Sequence, residues 1–158
     1  MNTASPPTTA AYVIIHRMEV ITSGGTSRNI GEITATATDD ATVTARIRAL
    51  EGQTQMVIYG IPSTQTLYMG RLYGNLIKGN VAGGCSMALK YNPEPQTQLT
   101  KFNTKHTFGI TSTGTSALTI NYSSPKVFSG PGILKLQATS TANDMDVSGG
   151  FDAVLVTN

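Results

Sequence analysis

The chain has 158 residues, enough for one domain with a sizeable core. Asp, Glu, Lys and Arg make up only 13% of it, about half of the usual ~25%, and the formal net charge is +2. The basic residues form no stripe (the densest spots are Arg46/Arg48 and Lys101/Lys105) and no segment has the roughly 18–20 apolar residues of a spanning helix, so neither nucleic acid nor a membrane is an expected partner.

Thr occurs 24 times and Gly 16 times. Thr is β-branched and suits a pleated, half-exposed surface. High Thr with low charge therefore reads as all-β. Cys85 is the single cysteine, so no intrachain disulfide is expected. The start "MNTASPPTTAAYVIIHRMEV" lacks the basic n-region and apolar run of a signal peptide, so manufacture in the cytoplasm without export is expected.

Residues 1–10 are rich in Pro, Ser and Thr without apolar periodicity. They read as an extended arm that has no fold of its own and is held by a neighbouring subunit. Pro6, Pro7 and Tyr12 are its candidate assembly contacts. Residues 11–158 read as a single β-sandwich domain. Its first strand is "AYVIIHRMEVIT", ended by "SGGTSRN". The clearest hairpin is "GEITATATDDATVTARIRAL", with Asp39-Asp40 at the turn. Ile33, Ala35, Val43, Ala45 and Ile47 alternate there with Thr34, Thr36, Thr42, Thr44 and Arg46, which predicts one buried and one wet face.

"QMVIYGI" and "QTLYMGRLYG" follow, parted by Pro62. "GGCSMALKY" is a strand stopped by the prolines of "NPEPQTQ". "KHTFGIT" and "SALTINY" read as a hairpin around "STGT", "SSPKVFSGPG" as a loop, and "ILKLQATS" and "FDAVLV" as the closing strands. Eight to ten strands at this spacing predict an antiparallel β-sandwich or jelly roll.

Few residues suggest chemistry. His16 and His106 sit in strands without a partner at zinc-ligand spacing, and Cys85 has no nucleophile motif around it. Strand polar residues and a small buried thiol are the preferred readings. Asn143, Asp144 and Asp146 in "ANDMD" are calcium candidates by spacing, but the same residues are turn formers and the EF-hand Gly and Glu are missing. No Gly-x-Ser-x-Gly elbow or phosphate loop is present. No enzyme activity, cofactor or metal is therefore expected. Tyr59, Tyr68 and Tyr73 cluster in sequence as sugar-stacking rings do, although core or subunit contacts are commoner roles.

The stretch "FSGPGILKLQATSTANDMDVSGGFDAVLV" resembles the end of small structural proteins of tailed bacteriophages. In these a Pro/Gly loop leads to a strand, an Asn/Asp-rich turn, Val-Ser-Gly-Gly-Phe-Asp and an apolar strand. The resemblance implies a virion component built on a jelly roll, with no catalytic residues. The expectation is a capsid-attached decoration or fibre-like subunit that self-assembles, a trimer as the first guess, beside other virion proteins such as the major capsid protein. A pilin-like subunit joined by strand donation and a carbohydrate-binding module are the alternatives. In the closing segment, Gly149-Gly150 are read as a turn or bulge, Phe151 as core, and the last two strands as a terminal hairpin.

Overall fold

The computed structural model describes residues 15, 17–21, 28–36, 43–78, 83–95, 97–98, 101–143 and 145–158. Among them are nine antiparallel strands and no helix, which is the all-β fold expected. By its internal contacts the chain divides into two units, Met1–Met56 and Val57–Asn158.

In the first unit, β1 (Ile33–Thr36) pairs with β2 (Val43–Ile47), with Ile33 opposite Ile47 and Ala35 opposite Ala45. Ala45 and Ile47 are buried as their alternation requires, whereas Ile33 is 42% exposed. A bulge after Ala35 sets Thr36 against Val43. Thr34 and Thr36 face solvent, and Arg46 forms an ion pair with Glu32 at 2.6 Å. Asp39, Asp40, Thr42 and the side chain of Thr44 lie outside the described residues.

Behind β2 the chain turns through Leu50 and Gly52, and Asn29 holds that turn. Its Nδ2 donates to the carbonyls of Gly31 and Arg48, and its Oδ1 accepts from Gly52 N. The strand expected over 11–22 is reduced, among its described residues, to a single bridge between Glu19 and Gln53. The Thr54 hydroxyl reinforces that bridge by accepting from Met18 N at 3.0 Å.

The second unit is a β-sandwich. Its strands are β3 (Ile58–Ile61), β4 (Gln65–Lys78), β5 (Gly83–Asn92), β6 (Asn103–Ser112), β7 (Thr115–Ser129), β8 (Gly132–Ser140) and β9 (Met145–Thr157). One sheet runs β3-β8-β5-β6 and the other β7-β4-β9. Four strands against three fall one short of an eight-stranded jelly roll. Alternation along each strand sends Leu67, Met69, Leu72, Leu89, Tyr91, Phe128 and Leu134 into one core between the sheets. Leu76, Cys85, Met87 and Ile110 form a second core cluster.

Three expectations about the links between strands are overturned here. β6 and β7 do not form a hairpin, since β6 pairs with β5 and β7 with β4. β8 and β9 are not a terminal hairpin either, because β8 pairs with β3 and β5 while β9 pairs with β4. Turn residues reverse the chain, but they do not decide whether the next strand joins the same sheet or the facing one. The third concerns "SSPKVFSGPG", most of which is strand: β7 continues to Ser129. Pro125 is tolerated because β7 is an edge strand and residues 122–125 stand opposite Gly70 alone, between the pairs Met69–Lys126 and Arg71–Asn121.

Gly149 and Gly150 lie within β9 and form no turn. Gly149 pairs with Gly74 across the sheet, and together they open a notch that receives Met87 from the facing sheet. A Cβ on Gly74 would lie 2.5 Å from Met87 Sδ, and one on Gly149 would lie 2.6 Å from Met87 Cε. On the opposite face the ring of Tyr73 occupies the space that a side chain at Gly150 would fill. The glycines supply room for neighbouring side chains, not a bend.

Candidate assembly surface

The inner and outer faces of the three-stranded sheet separate by parity. Leu67, Met69, Leu72 and Leu76 of β4 point inward, so Tyr68, Arg71, Tyr73 and Ile77 point outward. The register then places Val127 of β7 and Val154 of β9 on either side of Tyr68. Val127 is 55% and Val154 65% exposed, which makes an apolar row on the outer face. One step along, Arg71 Nε donates to Asn121 Oδ1 at 3.0 Å and its guanidinium meets Asp152 at 3.4 Å. That row balances its own charge.

Phe151 is half-buried and packs on the core, as expected. From Asp152 onward every residue of β9 is exposed on both faces, although β4 pairs with it up to Thr157. Leu155 lies inward, opposite the fully buried Leu67, yet keeps 36% of its surface; Val156 keeps 46%. Nothing among the described residues pairs with the other side of β9.

The four edges of the sandwich differ. β3 is only four residues long and meets Pro62. β6 has an irregularity at Lys105, between the pairs Leu89–His106 and Lys90–Thr104. β7 carries Pro125, Lys126 and its four-residue excursion. Short length, bulges, proline and lysine are the usual protections of a sheet edge. β9 spans thirteen residues without Lys, Arg or Pro.

The Lys105 and Lys126 ammonium groups lie near aromatic rings, 5.9 Å from the centre of Tyr91 and 5.0 Å from that of Tyr122. Tyr91, Lys105, Lys126, Val127, Phe128 and Ser129 line a groove of about 430 Å³ at the margin of the two sheets. The Tyr91 hydroxyl donates to the Ser129 carbonyl. On the outer face of the four-stranded sheet, Lys90 and Lys135 stand directly opposite each other. Burial, and then the charge of Lys90, hold the Lys135 ammonium below the ordinary lysine range. Its Nζ also lies 4.0 Å from the Phe102 ring centre.

The residues singled out by sequence are scattered. Pro6, Pro7, Tyr12, His16 and Asp144 lie outside the described residues. Asn143 and Asp146 are exposed, and no group of three or more His, Cys, Asp or Glu able to hold a metal occurs among the described residues. His106 is part-buried in ring contact with Phe108 and Tyr122. Cys85 is buried in the core as expected; burial raises its thiol pKa, while a backbone hydrogen bond from Ile110 acts the other way. Tyr59 packs on the core, apart from Tyr68 and Tyr73 on the outer face.

Two features escaped the sequence reading. The Lys90/Lys135 pair joins strands distant in sequence. Alternation places either Val154 and Val156 or Ala153 and Leu155 beside Phe151 in the core, but both sets are exposed, and an apolar strand carries no mark of being uncovered.

Among the described residues, Val57–Asn158 form an antiparallel β-sandwich whose β9 edge is long and carries no Lys, Arg or Pro. Compared with known proteins, the chain matches no family model, no curated protein and no solved structure.

Proposed function

We propose that this chain is a non-enzymatic structural subunit that acts by assembly, a virion protein of a tailed bacteriophage placed as a capsid-attached decoration or fibre-like element. The observation that carries the reading is the long unprotected edge of β9, flanked by the apolar row Val127, Tyr68 and Val154. Monomeric sandwiches protect such edges; an assembling one keeps an edge for its partner. The resemblance of the C-terminal segment to phage structural proteins supplies the virion context. Copies of this chain and other virion proteins are the partners it calls for.

Particles released from a host carrying the gene provide the test. Peptides of this chain should co-purify with intact particles through a density gradient, and antibody labelling should decorate the particle surface. A chain found only in the particle-free fraction would refute the virion assignment. A second reading, carbohydrate binding, rests on Tyr68 and Tyr73, exposed on one face at 38% and 39%. A glycan array in which Tyr68→Ala and Tyr73→Ala abolish a hit would favour it over assembly.

A further inference from the structure

We infer that the β9 edge pairs antiparallel with β9 of a second copy about a two-fold axis, with Leu155 opposite its own counterpart. This rests on the assembly reading and names the partner and its register. The strand itself supplies the argument. Antiparallel pairing joins residues that face the same side, so merging two such sheets with their cores on one side allows only even steps of register.

With Leu155 on the axis, Val154 stands opposite Val156 in both directions, Ala153 opposite Thr157 and Asp152 opposite Asn158. The outer face gains two Val–Val pairs, and the half-exposed Leu155 at the rim of each core meets its mate. No side-chain carboxylate faces another in this register. Moving the axis to Asp152 would set Asp152 against itself, and moving it to Gly149 would set Asp146 against Asp152.

The charge balance also favours a copy of this chain over a basic or acidic segment. Asp152, the one ionisable side chain of the paired stretch, is already met by Arg71 of its own sheet. That stretch therefore offers apolar contacts and backbone hydrogen bonds without an unmet side-chain charge to recognise. Pairing would join two three-stranded sheets into one of six. Such a contact links subunits in twos, so in a three-fold assembly it would connect one trimer to the next.

The register is testable by cysteine placement in a Cys85→Ala background. Leu155→Cys should form an interchain disulfide under mild oxidation at low concentration, because directly opposed Cα atoms lie within disulfide reach. Val156→Cys should not, since its counterpart is a diagonal neighbour about 7–8 Å away. Sedimentation velocity should show a dimer or larger species for the native chain. It should show a monomer for Val154→Lys/Val156→Lys, both at exposed positions, with unchanged β content by circular dichroism.

Oligomers that persist in the lysine variant, or that cross-link equally at 155 and 156, overturn the β9 pairing and leave the structural reading intact. A native chain that is monomeric and does not cross-link at 155 overturns the inference too. The particle fractionation above judges the structural reading separately.

Discussion

Replacing Gly74 by Ala probes the interlock of the two sheets. The added Cβ would lie 2.5 Å from Met87 Sδ and 3.1 Å from both Ile110 Cδ1 and Phe108 Cε2. Met87 cannot retreat along the sheet, since its Cε already fills the space over Gly149. Overpacking of this kind costs about 1–3 kcal/mol. Removing a glycine from a strand returns about 0.5–1 kcal/mol. The net expectation is a loss of about 1–2 kcal/mol, a fall of a few degrees in Tm for a chain of this length.

Gly70→Ala is the control: it lies on the same strand, and no heavy atom would come within 4 Å of its Cβ. It should be neutral or slightly stabilising. Urea unfolding followed by circular dichroism measures both. In a Met87→Ala background the cost of Gly74→Ala should vanish or reverse, because its methyl then enters vacated space. Equal effects at Gly70 and Gly74, or a Gly74→Ala penalty independent of Met87, would refute the interlock.

Ile47→Ala should cost about 2–5 kcal/mol, as for a buried aliphatic residue, while Ile33→Ala should cost less than about 1 kcal/mol; thermal melts of the pair check the face assignment. Lys90→Gln should raise the Tm and move the Lys135 pKa upward in an NMR titration. Because the Lys135 pKa is lowered on folding, its penalty is complete below the folded pKa and fades as pH rises toward the unfolded value. The native chain should accordingly gain stability along the alkaline limb, and Lys90→Gln should flatten that gain. Alkylation of Cys85 should be at least about tenfold slower than that of a free thiol and should accelerate in urea with the unfolded fraction, as followed by mass spectrometry.

Period-two alternation made the sandwich legible, because a strand buried on one face records that face in every second residue. Leu67, Met69 and Leu72 alternate with Tyr68 and Arg71 except where Gly70 interrupts, and that interruption is the β4 bulge. Alternation does not state which strand comes next in the sheet. The β6–β7 and β8–β9 links therefore read as hairpins although they cross between sheets. Pro125 misled for a related reason: it excludes a central strand, not an edge strand with an excursion. The candidate surface was least visible, since Val154, Leu155 and Val156 carry the same letters exposed as they would buried.

The pairing order also sets a timetable for folding. Among the described strands of the sandwich only β5 and β6 are both consecutive and paired. β4 is made early, yet its two neighbours, β7 and β9, come off the ribosome much later. Contacts so distant along the chain slow folding to the order of milliseconds to seconds. During synthesis Leu67, Leu72 and Leu76 wait on a strand with two vacant sides, which is a condition for misassembly between nascent chains. Slower translation would prolong that exposure, whereas a chaperone that shields β4 would raise the soluble yield without altering the finished fold.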